Sequence, residues 1–145
     1  MKKLKFDKKR TLYALLRNSQ GAKFFRSLYF FVDGKHSDDI LKGGKLSCAF
    51  YVSVILKILG LINEIHATVR GTIEDMKRCH WRESEKLLKG AVILWEKRRG
   101  HYHLGFYLGD NKAISNSSKH KSPRVHPLNY NQRKIEKIFI HQDLI

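Results

Sequence analysis

The stretch His101-Tyr102-His103-Leu104-Gly105-Phe106-Tyr107-Leu108-Gly109 decides how this chain is read. Its residues alternate as in a strand: Tyr102, Leu104, Phe106 and Leu108 share one face, and His101, His103, Gly105 and Tyr107 the other. A glycine beside His103 leaves room for another backbone, a ligand or the end of a helix to approach. The next residues, Asp110 and Asn111 after Gly109, tolerate positive φ and mark a hairpin turn. Moving outward, AVILWE from Ala91, KAISNS from Lys112, RVHPL from Arg124 and KIEKIFIH from Lys134 carry the same extended signature. The last third of the chain therefore reads as an antiparallel meander of about five strands.

Upstream the period changes. From Cys48 to Leu61 the run is apolar on most sides, with Ser53 and Lys57 its only polar stripe, which describes a buried helix. Ser47 suits its N-cap and Gly60 its stop. Thr72 and Asp75 have capping-box spacing and predict a short helix ending near Cys79. Nearer the start, Leu12, Leu15 and Leu16, then Phe24, Phe25 and Leu28, recur at helical spacing, and Gly21 separates two expected helices. The aromatic run Tyr29-Phe30-Phe31 is expected in the core, and DGKHSDDILKGGK, residues 33–45, as a loop. Helices first and a meander afterwards make an α+β fold, N-terminal helices packed on an antiparallel sheet. At 145 residues we expect one domain, residues 1–145, with a helical extension over 1–42 and the functional core over 43–145.

Lysine and arginine number 29 against 13 acidic residues, a formal charge of +16, which suits an anionic partner such as nucleic acid, acidic cell-wall polymer or an anionic surface. The same charges are spread over nearly every segment, as on a solvated surface. Cys48 and Cys79 are the only cysteines, too few for a disulfide framework and compatible with a reducing compartment. The start MKKLKFDKKR is basic like a signal-peptide n-region, but Arg17, Asn18, Gln20 and Lys23 interrupt the segment where an apolar h-region would stand. We therefore expect a cytoplasmic protein, or one released without a classical signal. AFYVSVILKILGLI, broken by Lys57, is too short to span a membrane.

Cys48 stands in the first turn of the expected buried helix, where backbone amides and the macrodipole favour a thiolate. Alone this means little, because cysteine is commonly a small core residue. A histidine projecting from a strand beside a glycine gives the cysteine a base, and the two together suggest nucleophilic catalysis.

These residues resemble the NlpC-type cell-wall cysteine peptidases of the papain-like superfamily. Their histidine motif reads roughly H-[VL]-G-[IF]-Y-[LIV]-G, and His103-Leu104-Gly105-Phe106-Tyr107-Leu108-Gly109 matches it throughout. Their nucleophile motif reads roughly D-C-S-G-[FL]-V. Ser47, Ala49 and Phe50 here replace its aspartate, serine and glycine, so Cys48 and the helix behind it are what is kept. The Gly90-Ala91-Val92-Ile93 segment stands where the family has a glycine-led strand start, and the resemblance covers roughly Gly43 to Asn116.

The resemblance implies a cysteine hydrolase that cleaves an amide bond in a peptidoglycan stem peptide or related small peptide. Cys48 would attack as thiolate and His103 would pair with it, then protonate the leaving amine. The Cys48 amide would serve the oxyanion. No cofactor and no metal are implied. The family's third polar residue falls on Ser115, while the neighbouring Asn116 is the better acceptor for an imidazole N–H. A two-residue turn at Asp110 and Asn111 puts Asn116 opposite Gly105, on the His103 face; a three-residue loop puts Ser115 there. His126 is a third candidate.

Two other classes compete. A nucleic-acid-binding module is suggested by charge alone, with no helix-turn-helix, paired-cysteine finger or RNP-type motif behind it. An inactive relative that binds peptide or glycan is suggested by the altered residues around Cys48. Cys79, His80, His101 and His103 fit no zinc spacing, and Trp81 and Trp95 read as packing residues, Trp81 nearer a cleft edge.

Overall fold

A computed structural model describes residues 1–145. Three helices, α1 (Lys8–Ser19), α2 (Cys48–Ile58) and α3 (Val69–Arg78), accompany two sheets. The small sheet is a hairpin of β1 (Phe31–Val32) and β2 (Lys35–His36). The main sheet has six strands rather than five: β3 (Arg82–Glu83), β4 (Val92–Arg98), β5 (His101–Gly109), β6 (Lys112–Ser117), β7 (Ser122–Pro127) and β8 (Ile135–Ile140). Their order is β3-β8-β4-β5-β6-β7, and every neighbouring pair is antiparallel. The extra member, β3, has two residues, too short for its alternation to show. The chain is thus an α+β protein, and no helix is long and apolar enough to cross a membrane.

One core joins the parts. Leu12 and Leu16 of α1, Phe25, Leu41, most of α2, Met76 of α3, and Val92, Leu94, Leu104, Phe106, Ile114 and Phe139 of the sheet bury together. The first forty residues therefore share the core of the rest. The opposite face of the sheet carries a smaller cluster around Ile93, Trp95 and Ala113, and His103 pairs across from Trp95 on that face.

The second N-terminal helix does not form. Helical turns need their amides for carbonyls four residues back, but the Asp39 carboxylate accepts from the amides of Leu28, Leu41 and Gly43 at 3.1, 3.0 and 2.8 Å. Ser37 Oγ likewise accepts from Phe30 N at 2.8 Å. The segment winds around these side chains, Phe25 alone fills the core, and Phe24, Tyr29, Phe30 and Phe31 stay exposed. Part of the expected 33–45 loop is the β1–β2 hairpin and a short turn at Lys42–Gly44.

Capping also differs. Ser47 takes the N-cap position of α2 but its hydroxyl makes no capping bond. The cap of α3 is Thr68, whose Oγ1 accepts from Gly71 N at 3.0 Å, so Thr72 lies inside the helix. Asp75 is not part of a capping box. Buried, it accepts from the amides of Asn63 and Glu64 at 3.1 and 2.9 Å and lies 2.6 Å from His66 Nε2, which ties the α2–α3 connection to α3.

Candidate active site

Hairpin register positions the site. Asp110 and Asn111, at φ 52° and 61°, form the two-residue turn between Gly109 and Lys112. Just before Gly109, Leu108 has no counterpart on β6, so Tyr107 pairs with Ala113 and Phe106 with Ile114. This bulge slides the strands by one residue. Ser115, not Asn116, consequently falls on the face of His103 and Gly105.

The side chains obey that register. His103 Nε2 lies 2.8 Å from Ser115 Oγ, and the same hydroxyl lies 2.7 Å from His126 Nε2. His126 Nδ1 is 2.7 Å from the Pro127 carbonyl oxygen. Asn116 faces the other way and donates from Nδ2 to the Gly44 carbonyl at 2.8 Å. All three histidine-orienting candidates are thus accounted for: Ser115 and His126 join His103 in one chain, and Asn116 braces the segment that leads into α2.

The chain of bonds assigns the protons. A carbonyl oxygen only accepts, so His126 Nδ1 donates to Pro127. Burial lowers the His126 pKa, leaving it neutral with Nε2 bare. Ser115 therefore donates to His126 and accepts from His103 Nε2–H. Under this tautomer His103 Nδ1 carries a lone pair and has no hydrogen-bond partner. That atom is the one ring nitrogen of the His103–His126 pair left without a partner.

Packing holds the imidazole in place. Tyr130 stacks on His103 with ring centroids 4.1 Å apart and planes 5° from parallel, and Trp95 lies at 5.5 Å. Trp95, not Trp81, borders the site; Trp81 is buried elsewhere and donates from Nε1 to Leu61 O at 2.8 Å. Gly105 admits the close approach of β6, since a Cβ there would stand 2.6 Å from Ile114 O and 2.7 Å from Ser115 Cβ.

Cys48 begins α2 with its residue partly exposed. The regular pairs between β5 and β6 run from Gly109 to Phe106 and from Lys112 to Ile114. The Leu104 amide, of the residue after His103, lies near enough to the Cys48 sulfur to favour its charged form. Cys48 and His103 make no hydrogen bond to each other, yet the Arg133 guanidinium bears on both.

Charges at rest differ from the expected ion pair. Burial pushes the Cys48 thiol up, against the opposing pull of the Leu104 and Ala49 amides and the Arg133 guanidinium. Burial, then Arg133 and His126, push the imidazole of His103 down to about 3. Both the Cys48 thiol and the His103 imidazole are therefore neutral at pH 7.

Cys79 caps the C-terminus of α3, its thiol 3.6 Å from Asp75 Oδ1. No group of three or more His, Cys, Asp or Glu side chains is placed to hold a metal. Sequence reasoning missed Tyr130 and Arg133, which lie on no motif. No protein-family model matches the chain, and no curated protein matches it.

Proposed function

We propose that the chain is a cysteine hydrolase of the papain-like, NlpC type that cleaves an amide bond through an acyl-enzyme on Cys48. The observation that carries this reading is the Pro127–His126–Ser115–His103 chain, which leaves Nδ1 of His103 as a bare base on the residue adjoining the Cys48 sulfur's Leu104 contact. As Sγ attacks the carbonyl carbon, Nδ1 takes the thiol proton and Ser115 accepts from the imidazolium Nε2–H. The amides at the start of α2 favour the oxyanion. Collapse expels the amine, which takes the proton from Nδ1. Water, deprotonated by the same nitrogen, then releases the acid and frees the thiol.

The substrate class, a peptidoglycan stem peptide or related small peptide, rests on the histidine motif. The +16 charge suits adhesion to an anionic polymer. Incubation with muropeptides tests the reading: wild type releases cleaved peptide and accumulates an acyl adduct on Cys48, and Cys48→Ala does neither. Full turnover by Cys48→Ala sinks it. The burial that keeps the thiol protonated favours a second reading, a domain that binds such peptides without cutting them; muropeptide binding with no turnover in wild type selects it.

A further inference from the structure

Buried polar atoms nearly always find partners, and each exception asks for a reason. Three side-chain atoms in this chain are buried without one: Ser47 Oγ, Asn116 Oδ1 and Arg133 Nε. Ser47 precedes Cys48, Asn116 comes directly after Ser115, and Arg133 lies just past the turn that carries Tyr130. Each thus lies within three residues, along the chain, of Cys48, Ser115 or Tyr130.

Arg133 is the charged one. Its guanidinium carbon lies 5.7 Å from the centroid of the Tyr130 ring, the ring that covers His103. The turn before it is closed by its own amide, which donates back to Tyr130 O at 3.0 Å, with Asn131 and Gln132 at φ of 51° and 62°. No carboxylate of the chain pairs with Arg133; the five ion pairs lie elsewhere. A part-buried guanidinium with no ion-pair partner in the chain matches the planar fork of a carboxylate.

We infer that Arg133 binds a carboxylate of the substrate beside the scissile carbonyl, so that the site selects an anionic acyl or peptide ligand. The inference rests on Cys48 being the nucleophile. It also gives the ligand an electrostatic part in the reaction, because a bound carboxylate offsets the cation that opposes charging of His103.

Two alkylating reagents of similar size test this without knowledge of the substrate. Iodoacetate carries a carboxylate and iodoacetamide does not. Each is reacted with the folded protein, and modification of Cys48 is read against Cys79 by peptide mass spectrometry. In wild type the iodoacetate-to-iodoacetamide rate ratio is higher at Cys48 than at Cys79. Arg133→Gln lowers the Cys48 ratio about tenfold, as loss of a charge-assisted contact implies, and Arg133→Lys keeps most of it. Where the glutamine variant loses the fold, Arg133→Met, which keeps the apolar stem against Tyr130, gives the same drop. An unchanged ratio in a folded neutral variant overturns the carboxylate site and leaves the nucleophile standing. Should Cys48→Ala keep full turnover of muropeptides, the nucleophile fails, and this inference with it.

Discussion

Tyr130 lies flat on His103, its centroid 4.1 Å from that of the imidazole and the planes 5° apart. The contact does more than fill space, because it covers a ring that is 7% exposed and so keeps it uncharged. Tyr130→Ala is expected to raise the His103 pKa from about 3 toward its ordinary 6.5, by about one unit or more. Tyr130→Phe keeps the stack and the low value. Titration of the His103 ring protons by NMR distinguishes the two, and equal pKa values in both variants would refute the role.

The buried imidazole ties stability to pH. The unfolded chain takes up the His103 proton below about 6.5, and the native chain only below about 3, so acid favours unfolding between those limits. Stability should fall by about 1.4 kcal/mol per pH unit there, with His126, also shifted down, acting in the same direction. Asp75, held down to about 2 from 3.8, contributes stability that is lost only at lower pH. Urea midpoints between about pH 6.5 and 4.5 therefore report the histidines. His103→Gln should flatten the slope, and a slope unaltered by that change counts against buried neutrality.

Ser115 and Asn116 are neighbours with different work. Ser115→Ala removes the hydroxyl between His103 and His126, and kcat should drop about tenfold or more with KM nearly kept. Asn116→Ala removes a donor to the Gly44 carbonyl. It should lower stability by about 1–3 kcal/mol while each folded molecule still turns over. Steady-state kinetics beside denaturant melts separate these effects, and the reverse pattern would mean the register is misassigned.

Gly105→Ala places a methyl 2.6 Å from Ile114 O and 2.7 Å from Ser115 Cβ. The strands must part, at about 1–3 kcal/mol, and Ser115 must leave His103. Loss of turnover should exceed what the loss of folded protein explains. A fully active, fully stable alanine variant would show that the close approach is dispensable.

Asp75→Ala strips the acceptor shared by the Asn63 and Glu64 amides and His66. Because those groups stay behind unpaired, about 3 kcal/mol or more should be lost. The α2–α3 connection should gain amide hydrogen exchange ahead of the sheet. Unchanged exchange in residues 62–68 would assign Asp75 a lesser role.

How much of the molecule is legible in its sequence depends on the range of each interaction. Strands β4 to β8 and helix α2 are legible because alternation and an apolar run are local properties of consecutive residues. The failed helix after Gly21 is not, since Asp39 captures the Leu28 amide from eleven residues away. Cys48 and His103 stand out by motif and position, but the partner of His103 depends on where Leu108 breaks the pairing. Tyr130 and Arg133 escape notice for the same reason: what brings them to the site is the return of β8 alongside β4, a tertiary event.

Leu108 has a wider consequence. Strand side chains have only two orientations, so one unmatched residue reverses the parity of whatever lies beyond it on the partner strand. Related chains that lost or gained this residue would present an amide where this one presents a hydroxyl, with no substitution at either position. Chemical identity at the centre of the sheet is here under the control of chain length at its rim.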